Sequence, residues 1–144
     1  MSHPGLIALL SGLAAQAAKV VIELAFRRRW RPALLFANGG MPSSHTATVT
    51  TLTLAVGRLE GFESSIFSLV LIFSLYVVFE ATGLRQEMGH QAELLNDLLD
   101  EALAGQHVDR ERLRELVGHT WAEVAGGMAF GGLVFMWWNR TLLP

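Results

Sequence analysis

The chain has 144 residues, of which 51% are hydrophobic and 17% charged, with a formal net charge of −2 and a mean hydropathy of +0.38. That length suits one domain, and the composition is too apolar for an ordinary soluble one. With no cysteine there is no disulfide, thiolate metal site or cysteine nucleophile, and the near-neutral charge gives no electrostatic footprint for nucleic acid.

The expected fold is all-α: an integral membrane helical bundle, one domain over residues 1–144. About four membrane helices are predicted, over about residues 5–28, 44–58, 63–83 and 119–140. An amphipathic interfacial segment at about 86–117 sits on one face. Residues 5–26 form an apolar run of bilayer-spanning length. Arg27, Arg28, Arg29 and Arg31 follow that run rather than precede it, unlike a secretory signal peptide. Gln16, Lys19 and Glu23 share one helical face. Lys19 either pairs locally with Glu23, reaches toward the arginines, or faces a polar site walled by protein.

Next comes Gly39-Gly40-Met41-Pro42-Ser43-Ser44-His45. The glycines permit turns closed to other residues, Pro42 fixes a dihedral, and Ser43 or Ser44 can cap the following helix. A helix N-terminus with two hydroxyls and an imidazole can hold a phosphate beside a proton donor, or be only a capped turn with an incidental histidine. The second helix is rich in threonine and short for a full span. Residues 58–63 read as a turn, and residues 64–79 as an uncharged helix core leading to Glu80 just inside the membrane edge and Arg85 at it. Leu94, Leu95, Leu98, Leu99 and Leu103 then make an amphipathic face. In the last helix His119 and Glu123 share a face, and Gly127 and Gly131 form a small-xxx-small step for close packing.

If all four apolar segments span, Lys19's end of the first helix, the glycine-proline loop, Arg85 and His119 lie on one side. That side also carries most of the arginines, so the positive-inside rule makes it cytoplasmic.

The chain resembles the divergent branch of the type-2 phosphatidic acid phosphatases, related to acid phosphatases and vanadium-dependent haloperoxidases. The matching residues are Ala15-Gln16-x-x-Lys19, Gly39 to His45, Gly83-Leu84-Arg85 with Gly89-x-Gln91-Ala92 and Asn96, and Gly118-His119-Thr120 with Glu123-Val124. The resemblance implies a membrane-embedded phosphatase acting on a phosphorylated lipid, phosphatidic acid-like or an isoprenoid phosphate. His119 would be the nucleophile, Glu123 its orienter and His45 the general acid. Lys19, Gly40, Ser43, Ser44 and Arg85 would bind phosphate, with Gln16, Glu80, Gln91 and Asn96 as supporting polar groups. No metal or other cofactor is implied, and no histidine or carboxylate cluster has convincing ligand spacing. The partners implied are the lipid substrate and the bilayer, and a homodimer would supply wall that four helices lack. Two positions depart from the superfamily pattern: Leu113 stands where an arginine is usual, and Leu24 where a lysine is usual. These departures keep open an inactive phosphatase-like protein that binds an anionic lipid or partner. A small helical transporter is a third reading, without a repeat signature to favour it.

Overall fold

The structure is a computed structural model and describes residues 3–28, 30, 32–36, 40–102 and 120–141. Four helices form it: α1 (Pro4–Arg27), α2 (Ser44–Glu60), α3 (Ser65–Ala102) and α4 (Trp121–Thr141), with a short 3₁₀ helix (Pro32–Phe36) after α1. Local chemistry sets their ends. Arg28 takes a left-handed conformation (φ 51°) beyond α1. Ser43 caps α2, its Oγ accepting the Thr46 N–H at 3.3 Å. Gly61 ends α2 at φ 91°, where its N–H reaches the Gly57 carbonyl at 3.1 Å. Ser64 Oγ accepts the Phe67 N–H at 3.1 Å and starts α3.

Two features differ from the sequence reading. The turn expected over 58–63 begins later, because α2 continues to Glu60. The apolar third helix and the amphipathic stretch expected as separate pieces are joined, since α3 runs unbroken for 38 residues through Gly83 and Gly89. A helical glycine costs about 1 kcal/mol, and the strong formers Leu84, Arg85, Gln86, Glu87 and Met88 between the two outweigh it.

The register follows from residue pairs. Ile7 meets Ala55 in one core cluster and Ser11 meets Thr51, so α1 and α2 are antiparallel. Val49 meets Val78 and Thr53 meets Ser74, so α3 is antiparallel to α2 as well. Ser43 approaches Gly127, Ala47 approaches Gly131 and Ala55 approaches Trp138, so α4 runs parallel to α2. The C-terminal half of α1, the starts of α2 and α4 and the later part of α3 therefore share one end of the bundle.

α2 is the hub, packing on α1, α3 and α4. Its hydroxyls are shared with the neighbours: Thr51 Oγ1 bridges Ser11 Oγ (2.8 Å) and the Gly131 carbonyl (3.0 Å), and Thr53 Oγ1 lies 2.8 Å from Ser74 Oγ. Such interhelical bonds contribute about 0.6 kcal/mol each in a membrane. The Gly127–Gly131 step lets α4 touch the α2 backbone. A Cβ on Gly127 would stand 2.5 Å from the Ser43 carbonyl oxygen, and one on Gly131 would stand 2.6 Å from that of Ala47. Backbone cannot swing aside, so Gly127→Val is expected to destabilise the fold by about 1–3 kcal/mol. Thermal unfolding in detergent measures this, and an unchanged midpoint would contradict the α2–α4 packing.

Among the described residues two helices are long and apolar enough to cross a membrane, Pro4–Phe26 and Ser65–Gly83. Only 17% of the Ser65–Gly83 window is buried, leaving Leu69, Ile72, Phe73 and Phe79 facing outward. A stripe of that kind suits lipid better than water. α2 has 17 residues, and α4 is diluted by Gly126, Gly127, Gly131, Gly132 and Glu123, so neither reaches the same measure.

Candidate functional site

At the shared end of the bundle three remote stretches meet. Lys19 of α1 is only 3% exposed although it is charged. Its side chain passes beneath Gly40: a Cβ on that glycine would lie 3.6 Å from Lys19 Cδ. Gly40 holds φ +86°, a conformation other residues adopt only with strain. This turns its N–H toward α4, where it donates to Glu123 Oε1 at 3.2 Å. The Glu123 charge is also within electrostatic reach of the Lys19 ammonium.

Glu123 is held from its own helix too. Thr120 N–H donates to Glu123 Oε2 at 2.8 Å, and Glu123 N–H donates to Thr120 Oγ1 at 3.2 Å. This reciprocal pair is a capping box, and the Thr120-x-x-Glu123 spacing carries its signature. The Glu123 main-chain carbonyl accepts the Ser43 N–H at 3.1 Å. One residue thus ties the glycine-proline loop, the start of α2 and the start of α4 together. Ser43 is fully buried, its Oγ accepting both the N–H and the Oγ1–H of Thr46. Met41 covers Gly126, whose Cβ would approach Met41 Cε to 3.0 Å. Thr46, Thr120 and Met41 all support the site, although the sequence reading gave none of them a role there. Only Thr120 had a readable signal there, its capping-box spacing.

Beside this cluster a cleft of about 410 Å³ opens between α1 and α3, floored by α2. Leu9, Leu13, Thr48 and Val77 line its apolar part, while Gln16, Ser44 and His45 line the end toward Lys19. His45 is exposed and sits in the first turn of α2, Ser44 is half-buried, and the Gln16 amide Nε2 donates to the Leu35 carbonyl at 3.0 Å. The structure thus brings Lys19, Gly40, Ser43 and Glu123 into one cluster and places Gln16, Ser44 and His45 along its flank.

The other candidates divide. His119 and Gly39 lie outside the described residues, as does the side chain of Arg85, whose backbone is on α3. Glu80 and Gln91 are exposed on α3, whereas Asn96 is 5% exposed on its later part. Among the described residues no three histidine, aspartate or glutamate side chains gather as metal ligands.

The sequence profile of the divergent PAP2 family matches residues 2–134. The chain is also similar to the uncharacterized membrane protein YuiD of Bacillus subtilis (strain 168), at 38% identity over 140 residues, covering 87% of this chain and 86% of that protein. No solved structure matches it.

Proposed function

The chain belongs to the divergent PAP2 family, and on that premise we propose that it is a membrane-embedded phosphatase that hydrolyses a phosphorylated lipid. Its four helices would span the bilayer, with the polar end at the cytoplasmic face where the arginines cluster. The observation carrying this reading is Lys19, a buried cation on an apolar helix. It sits at the bundle end where the Gly40 N–H, the start of α2 and Glu123 converge. Intramembrane cations are costly and are retained for a polar task, and a phosphoryl group carries the matching charge.

In the proposed reaction a His119 ring nitrogen attacks phosphorus as the ester P–O bond breaks, and His45 gives its proton to the departing alkoxide. Water then attacks the phosphohistidine, His45 takes back a proton, and inorganic phosphate leaves. Glu123 orients His119, while Lys19, Arg85 and the N–H groups and hydroxyls of Gly40, Ser43 and Ser44 balance charge on the phosphoryl oxygens.

One observation favours a second reading. Both carboxylate oxygens of Glu123 already accept backbone N–H groups, of Gly40 and Thr120, so the carboxylate is tied into the scaffold, a use that needs no histidine. An inactive phosphatase-like protein that binds an anionic lipid through Lys19 fits that use of Glu123. The test is phosphate release by the full chain reconstituted in vesicles containing phosphatidic acid or an isoprenoid phosphate. A phosphatase releases phosphate, is stopped by orthovanadate and is indifferent to chelator. Orthovanadate binding without any phosphate release would establish the second reading instead.

A further inference from the structure

The two apolar runs long enough to cross a membrane are not level with one another. Ile7 meets Ala55 and Ser11 meets Thr51, which sets the height of α1 against α2. Val49 meets Val78 and Thr53 meets Ser74, which sets α3 against α2. Both pairings are antiparallel, so a step up α2 is a step down each neighbour. Carried through α2, the pairs put Pro4 level with Leu69, Ala18 level with Gly83 and Phe26 level with Gln91. The α3 run, Ser65–Gly83, therefore starts below the level of Pro4 and stops well below that of Phe26. At 1.5 Å per residue, α1 stands roughly 6 Å higher at one end and roughly 12 Å higher at the other. The offset has the same sense at both ends, so it is a shift and not only a difference in length. The sequence marks the edge nearest the site on both helices: Arg27, Arg28 and Trp30 follow Phe26, and Arg85 follows Gly83. Because α1 and α3 both pack on α2, their axes lie at most about 20 Å apart. A flat slab of lipid meets both edges when the bundle leans by roughly 30°, inside the usual range of about 0–40°. The exposed side chains agree. Val21, Leu24 and Phe26 face outward beyond Lys19, Phe26 being 85% exposed, whereas at that height α3 presents the exposed amide of Gln91.

We infer that the bundle sits obliquely in the bilayer, so that hydrocarbon reaches past the candidate site on the α1 flank while water reaches down to it on the α3 flank. The last two turns of α1 are then a lipid-facing surface that stands roughly 10 Å above Lys19. For its consequence in the reaction the inference rests on the phosphatase reading. A phosphate ester anchored in the bilayer comes to the site from the α1 flank, and the attacking water comes from the α3 flank.

The chain has no cysteine, so a single introduced thiol reports without background. Leu24→Cys and Gln91→Cys both fall on exposed positions, within roughly 3 Å of the same height along the bundle. Each variant of the full chain is placed in phosphatidylcholine vesicles and treated with a sulfonated, membrane-impermeant maleimide. Both positions lie at one end of the bundle, so either orientation of insertion presents them together. Leu24→Cys should react at least about tenfold more slowly than Gln91→Cys, because a thiol in hydrocarbon ionises less and the charged reagent stays in water. A fluorophore attached at Leu24→Cys should be quenched by phosphatidylcholine brominated on its acyl chains, and one at Gln91→Cys should not. Equal reaction rates at the two positions would overturn the inference. So would slow reaction of Leu24→Cys without bromine quenching, since a second copy of the chain and not lipid would then cover the end of α1. No ester is cleaved in either assay, so failure here leaves the phosphatase reading standing, and absence of phosphate release leaves the oblique seating standing.

Discussion

Glu123→Ala is expected to cost the protein about 2–4 kcal/mol of folding stability. Three effects add in one direction. The Gly40 N–H loses its acceptor, the capping box at the start of α4 is broken, and buried Lys19 loses a nearby countercharge. The cap alone accounts for about 1 kcal/mol. Most of the remainder comes from a buried ammonium deprived of a carboxylate, so the partner change should rescue it. A Lys19→Met, Glu123→Gln double variant should recover a large part of the loss, since removing both charges is far cheaper than removing one. Unfolding in detergent micelles reads both variants. A loss under about 1 kcal/mol for Glu123→Ala would mean that the link between loop and α4 contributes little.

The two histidines should separate by leaving group. On a lipid phosphate, His119→Ala and His45→Ala are each expected to lower phosphate release by about 10³-fold, within the usual span of acid–base and nucleophilic contributions. On p-nitrophenyl phosphate the leaving phenolate needs no proton. There His45→Ala should cost only about tenfold while His119→Ala stays as damaging as before. His45 is exposed on α2 at the polar end of the cleft, where a leaving oxygen can reach it. Equal losses for His45→Ala on both substrates would remove it from the acid role, and full activity of His119→Ala would end the histidine mechanism.

What the sequence made legible was local. The α2 cap at Ser43, the glycine step that seats α4 and the apolar run of α1 all follow from spacing within a few residues. The continuity of α3 did not, because Gly83 and Gly89 resemble boundaries whereas the formers between them decide the outcome. The remote contacts were also hidden. Lys19 has Glu23 one turn away in sequence, yet the side chain is buried under Gly40 and near Glu123, more than a hundred residues distant. Only the antiparallel pairing of α1 with α2, and the parallel one of α2 with α4, brings those positions to the same end. For Glu123 the family resemblance implied an orienter of His119, which lies outside the described residues, whereas the Thr120-x-x-Glu123 spacing carries the capping box that the structure contains.

On the phosphatase reading, residues from Lys19 to Glu123 surround a single phosphoryl group. The most direct measurement is a crystal structure of the full chain grown in lipid with orthovanadate. Vanadate is expected at the polar end of the bundle, with Lys19 Nζ and the rings of His45 and His119 all within roughly 3–4 Å of its oxygens or its metal centre. Vanadate bound elsewhere, or two imidazoles too far apart to reach one anion, would contradict it.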